Sequence, residues 1–161
     1  LYEYIRSLKA IGFRFEQIKW AIISHFHLDH AGLVRDFQDA GIQCLLFENQ
    51  GEGIDEMERI IARSYSGYRP ILKEGFHRVS TQKSRSFLKA IGIKGEVIQT
   101  PGHSDDSVSL ITDDHDAVIG DLYPIDQVMP NDLTTLNSWE KIRERGAVRI
   151  WPSHAPGFKV K

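Results

Sequence analysis

The sequence predicts an α/β domain. Two kinds of segment point to it: short apolar runs of strand type, and stretches with apolar residues at helical spacing that stop at a glycine. A third observation is their order, because strand, helix and strand succeed one another along the chain. With 161 residues the chain is long enough for one domain, 1–161, with a core of its own. Hydrophobic residues make up 41% and charged residues 26%, which is ordinary for a globular protein.

The elements follow in order. Leu1, Tyr4, Ile5, Leu8 and Ile11 share one helical face, and Gly12 suits a left-handed cap. Residues 18–24 form an apolar strand. A helix is expected from His30 or Ala31, with Leu33, Val34 and Phe37 inward and Gly41 past its end. Residues 42–47 give a second strand, so the first three elements after Gly12 read as a βαβ unit. Residues 52–64 read as a helix carrying Ile54, Met57, Ile60 and Ile61, broken by Gly67 and Pro70. Residues 81–92 form another helix with a glycine stop. Segments 95–100, 107–112 and 116–120 are successive strands, the last two a hairpin around Asp113–His115. A helix over 138–146 and a strand over 147–152 complete the pattern. There is no internal repeat, low-complexity tract or linker.

Charge and cysteine content exclude some classes. A net charge of -2 predicts no binding to polyanions, so no nucleic-acid partner is expected. No apolar run approaches membrane-spanning length, so no membrane partner is expected either. Cys44 is the only cysteine, which rules out an intrachain disulfide. It reads as a small buried hydrophobe in the second strand. Nothing demands an oxidising compartment, and a cytoplasmic location is the default expectation.

The chemistry is concentrated in Ser24–Gly32, which reads SHFHLDHAG. In extended chain, residues two apart point the same way, so His25 and His27 can grip one cation. Asp29 continues the alternation, while His30 points elsewhere once a helix begins. The turn therefore offers ligands to two metals. Imidazole and carboxylate together suit zinc, and also iron or manganese. His103, Asp121 and His154 each directly follow a predicted strand, where an α/β sheet commonly presents its site. His77 and His115 read as surface residues. Asp105 and Asp106 either orient a ligand imidazole or simply form a turn.

The pattern His25-x-His27-x-Asp29-His30, followed by His103 in TPGHS, Asp121 in GDL and then His154, resembles the metallo-β-lactamase-fold superfamily of hydrolases. The resemblance covers nearly the whole chain and fills seven ligand positions in order. It implies an αββα sandwich. It also implies that His25, His27 and His103 hold one metal, that Asp29, His30 and His154 hold a second, and that Asp121 bridges the two. Two zinc ions would then share a hydroxide as nucleophile, since metal binding lowers the pKa of water from about 15.7 to about 7. Asp29 would have a catalytic role as well, orienting the nucleophile or accepting a proton. Members of the family begin with several strands before the helix that opens this chain. An N-terminally incomplete sheet is therefore expected, with a homodimer as the other way of completing it.

Single residues separate the branches of that family. Asp121 stands where the commonest β-lactamases use a cysteine, which argues against antibiotic hydrolysis. His27 stands where the di-iron redox branch has a glutamate. The absence of a basic run weighs against the phosphodiesterases and nucleases. What remains resembles the glyoxalase II and lactonase group, acting on a small ester, thioester or lactone. A di-iron redox protein and a phosphodiesterase or nuclease are the alternatives. Tyr65, Tyr68 and Arg69 lie in a segment between the second strand and the next helix and are candidate substrate contacts. Tyr123, two residues past Asp121, is a fourth.

Overall fold

The computed structural model describes residues 1–61 and 67–160. The order is α1 (Tyr2–Ala10), β1 (Trp20–Ile22), α2 (Leu28–Ala31), α3 (Val34–Asp39), β2 (Gln43–Leu46), α4 (Gly51–Ile61), β3 (Phe76–Arg78) and α5 (Thr81–Ala90). Then come β4 (Gly95–Gln99), β5 (Val108–Thr112), β6 (Asp116–Gly120), α6 (Leu133–Glu144), β7 (Arg149–Pro152) and β8 (Phe158–Lys159).

The strands form two sheets. The first is β1-β2-β3, parallel throughout, with Ala21 opposite Cys44 and Cys44 opposite Phe76. The second is β4-β5-β6-β7-β8, with only the β6–β7 pair parallel. Alternation along β2 shows how the sheets stack. Cys44 and Leu46 join a core with Val34 of α3 and Ile54, Met57 and Ile61 of α4. Leu45, on the opposite face, meets Val97 of β4, Val108 of β5 and Leu88 of α5. On the far side of the second sheet, Ile98, Ile119 and Ile150 pack on Trp139 and Ile142 of α6. The layers are therefore helix, sheet, sheet, helix. Each fully buried aliphatic side chain contributes roughly 1.5–3 kcal/mol, so the middle core is what holds the two sheets together.

The expected strands and helices are present, with corrected limits. The chain turns helical at Leu28, before His30, and the helix divides into α2 and α3, so Asp29 already lies on helical backbone. Gly12, Gly41 and Gly92 stop their helices at φ values of 82°, 76° and 89°. Ile60 is exposed, whereas Ile54, Met57 and Ile61 of α4 are buried. Helix α6 begins at Leu133, five residues before the expected Ser138. Its start is set by Asp132, whose side chain accepts from Thr135 N at 3.0 Å. Strands β3 and β8 have only three and two residues, too short to show as apolar runs. Cys44 is fully buried, and burial pushes its thiol up to about 11. It is inert packing, as its strand position suggests. Among the described residues, no helix is long and apolar enough to cross a membrane.

Candidate metal centre

The strand exits converge. The end of β1 is tied to the second sheet by Val108 N, which donates to Ser24 O at 2.8 Å. It is held from the other side by Gln50, fully buried, whose Nε2 donates to Ile23 O at 2.9 Å. His25 follows with no exposed surface, and Phe26 is almost as deep. Between His25 and His27 the backbone is fixed once more, because Phe26 N donates to Asp106 Oδ2 at 2.6 Å. Where the sequence left Asp106 as an orienting partner of an imidazole or a turn residue, the structure shows it gripping the backbone between two imidazoles.

Helix α6 fixes two more exits. Ser138 Oγ donates to Pro101 O at 2.6 Å, just before His103. Trp139 Nε1 donates to Tyr123 O at 2.8 Å, just after Asp121. The last exit is fixed by Ser153 N, which donates to Gly120 O at 3.0 Å and sets His154 beside Asp121.

Two ligand groups result. His25, His27 and His103 form one, and Asp29, His30, Asp121 and His154 form the other. His103 Nε2 stands 3.0 Å from His27 Nδ1, and His30 Nε2 stands 3.2 Å from His154 Nε2. Two nitrogens on one tetrahedral zinc stand about 3.3 Å apart, so these spacings suit a shared cation. Asp121 Oδ2 faces both groups. It lies 3.1 Å from His30 Nε2 and 3.4 Å from His154 Nε2, and 3.8 Å from His103 Nε2 and 4.0 Å from His25 Nε2. Asp29 Oδ2 approaches His154 Nε2 at 3.0 Å.

The orphaned atoms test whether a metal fits. His25 Nε2 and Asp121 Oδ1 are buried and have no hydrogen-bond partner among the described residues. Leaving such groups unpaired costs about 1–3 kcal/mol each, and a cation would satisfy them. Protonation would not. Burial, and then the neighbouring rings of His30, His27 and His103, push His25 down to about 3. His103 is lowered for the same kinds of reason, burial first and then His27. Both rings therefore stay neutral, the form that binds metal. For Asp29, burial favours the neutral acid, but its backbone hydrogen bond and the His30 and His154 rings hold the carboxyl below its usual range. These residues fit a pair of divalent cations.

Two clefts open on the cluster. One of about 770 Å³ reaches from His103, Asp121 and Tyr123 to Ile142 and Phe158. The other, about 610 Å³, runs from His27 and His103 along Glu52, Met57 and Asp105. The Tyr123 ring lies 5.7 Å from that of His103. Tyr68 and Arg69 border a separate hollow of about 270 Å³ with Leu28 and Gly32. There Arg69 is paired with Asp36 and Asp39, and Tyr68 donates to Glu58 at 3.5 Å. Tyr65 lies outside the described residues. His77 belongs to neither ligand group and packs edge-to-face on Trp20 at 5.4 Å and tilted beside Phe87 at 4.9 Å. His77→Ala is expected to leave metal content and activity unchanged when both are measured on the purified protein.

Sequence reasoning missed the roles of Ser24 and Gln50 and the first turn of α6, before Ser138. Ser24 could have been suspected from its place directly before His25. Gln50 carried no signal.

Side chains able to hold metal ions gather where four strands end, and they define the class as a candidate metal-binding protein of two-sheet fold. The family follows from comparison: the model of the metallo-beta-lactamase superfamily matches residues 1–154, and the chain belongs to that superfamily. It is 26% identical over 162 residues to the beta-lactamase-like protein 2 homolog of Caenorhabditis elegans, covering 96% of this chain and 48% of that protein. The chain thus spans about half the length of this curated relative. Among solved structures it is similar to a metallo-beta-lactamase family protein from Thermus thermophilus. There the TM-score is 0.69 at 20% identity, with 97% of this chain and 61% of that one covered. It is also similar to TTHA1623, solved in a di-iron-bound form, with a TM-score of 0.70 at 16% identity and coverage of 98% and 78%. A third is FIM-1 of Pseudomonas aeruginosa in its mono-zinc form, with a TM-score of 0.65 at 18% identity and coverage of 98% and 67%. These structures share the fold.

Proposed function

We propose that the chain carries the site of a binuclear metal-dependent hydrolase acting on a small ester, thioester or lactone. The observation that carries this reading is Asp121 Oδ2, placed within 4.0 Å of ligand nitrogens from both groups. A single carboxylate so placed is suited to joining two cations. His25, His27 and His103 would hold one, and Asp29, His30 and His154 the other. When bound, a pair of zinc ions makes hydroxide available near pH 7 and polarises the scissile carbonyl.

The chain's own residues do the rest. Asp29 sits at the exposed rim, ionised, and serves as proton acceptor and orienting group. The His25 and His103 imidazoles, kept neutral by burial and by the neighbouring rings, do not compete with the cations by taking up protons. Tyr123, beside His103 at the mouth of the larger cleft, is placed to contact the substrate. Small-molecule substrates suit the two clefts, and the net charge of -2 does not favour a polyanion.

A second reading, iron on the same ligands with redox chemistry, is favoured by one observation, the di-iron form of a structural neighbour. The test is a panel of esters, thioesters, lactones and phosphodiesters, with metal content measured beforehand. The proposal expects two metals per chain and turnover of a carboxylic ester, thioester or lactone. Stoichiometric iron with oxygen consumption and no hydrolysis would overturn it. Activity should also rise with pH, with a midpoint of about 7. A flat pH–rate profile would contradict hydroxide attack as the limiting step.

A further inference from the structure

We infer that Ser24 is a positioning residue that orients one imidazole of each metal group at once. The inference rests on the metal-site reading above and deepens it. Ser24 Oγ lies 3.1 Å from His25 Nδ1 and 3.3 Å from His30 Nδ1. His25 belongs to the three-histidine group and His30 to the group containing Asp29, Asp121 and His154. One hydroxyl therefore touches both halves of the centre.

The hydrogen-bond inventory makes the geometry specific. A neutral imidazole that ligates through Nε2 keeps its proton on Nδ1 and needs an acceptor there. A serine oxygen has two lone pairs, enough for two such donors. The opposite ring nitrogens are turned into the cluster. His25 Nε2 is buried without a hydrogen-bond partner among the described residues, and His30 Nε2 is 3.1 Å from Asp121 Oδ2. Ser24 thus sets the same tautomer on both rings and limits their rotation. Without the hydroxyl, the fully buried His25 ring loses the acceptor for its Nδ1–H. The tautomer that frees Nε2 for a cation then loses its hydrogen bond, and the ring loses the contact that fixes its rotation.

The fold makes room for this contact. A Cβ at Gly120 would lie 2.8 Å from Ser24 Cβ and 2.9 Å from Ser24 Oγ. Gly120 also has a φ of 59°, which favours glycine. It directly precedes Asp121, so the strand that delivers the shared carboxylate is also the one that leaves space for Ser24. The Ser24 backbone is pinned by Val108 N at 2.8 Å, so the hydroxyl starts from a fixed point.

The experiment compares Ser24→Ala, Ser24→Thr and the parent chain. Zinc affinity is read by competition with a chromophoric chelator, and cobalt(II) substitution reads ligand geometry in the visible spectrum. Ser24→Ala is expected to weaken both sites by about 10–100-fold each and to alter the cobalt bands. The thermal melt of its metal-free form should fall by no more than the loss of one buried hydrogen bond predicts. Ser24→Thr, which keeps the hydroxyl, should restore binding at both sites. Loss confined to one site, unchanged affinity in Ser24→Ala, or a Ser24→Thr defect as large as that of Ser24→Ala would overturn the proposal. Long-range proton–nitrogen NMR of the zinc-loaded parent adds a test that needs no variant. It should show Nδ1–H on both His25 and His30, and ligation of either ring through Nδ1 would overturn the assignment. If the parent binds no zinc at all, the metal-site reading itself fails, and this inference with it.

Discussion

Asp121→Ala will cost the protein its second cation and its activity together. Asp121 Oδ2 is the one carboxylate oxygen within 4.0 Å of ring nitrogens from both ligand groups among the described residues. Alanine removes it and leaves the two clusters with no carboxylate between them. Two divalent cations held close together repel each other, and a shared anion is the main offset to that repulsion. Hydrolysis should fall by more than about 10³-fold in kcat/KM, or roughly 4 kcal/mol of transition-state stabilisation. Metal analysis should show no more than one equivalent. The Asp121 carboxylate meets His30 Nε2 and sits among the other candidate ligands, so circular dichroism of the metal-free variant should match that of the parent. Two retained equivalents would show that the bridge assignment is wrong.

Asp106→Ala should produce the second large effect, and a different one. Asp106 Oδ2 accepts from Phe26 N at 2.6 Å, and both residues are buried. A hydrogen bond to a buried carboxylate contributes about 1.5–3 kcal/mol, and its removal leaves the Phe26 N–H without an acceptor. The variant should lose roughly 2–3 kcal/mol of stability even without metal, which chemical denaturation will read. Because Phe26 separates His25 from His27, the three-histidine site should weaken more than the other. Asp106→Asn keeps an acceptor oxygen and should recover part of both losses. The packing supports this specificity: a Cβ at Gly53 would meet Asp106 Oδ2 at 2.4 Å, so α4 is shaped to admit the carboxylate. If Asp106→Ala unfolds at the denaturant midpoint of the parent, the anchoring role is wrong.

Much of this was legible in the sequence because its signals are local. The βαβ unit showed as two apolar runs around one helical stripe, and the structure pairs them in parallel, Trp20 opposite Gln43. The hairpin at Asp113–His115 showed as two β-rich segments with a polar turn, and Leu110 does stand opposite Val118. The candidate ligands were legible because imidazoles and carboxylates at strand exits have few other uses. The remainder depended on contacts distant in sequence. Asp106 meets Phe26 across 80 positions, and nothing near either residue announces it. Gln50 reads as a polar loop residue until the fold brings its amide to Ile23 O. The first turns of α6 carry Thr134, Thr135 and Asn137, poor helix formers, and only Asp132 and packing against the second sheet make them helical. Strands β3 and β8 exist because neighbouring strands offer edges, with no pattern of their own.

The central claim is that residues from four strand exits cage two cations sharing one carboxylate. Its most direct test is an anomalous-diffraction structure of the metal-loaded protein. The account predicts two peaks about 3.5–4 Å apart, one amid His25, His27 and His103, the other amid Asp29, His30 and His154, with Asp121 between them. A single peak, or metal bound elsewhere while these seven side chains coordinate nothing, would contradict it.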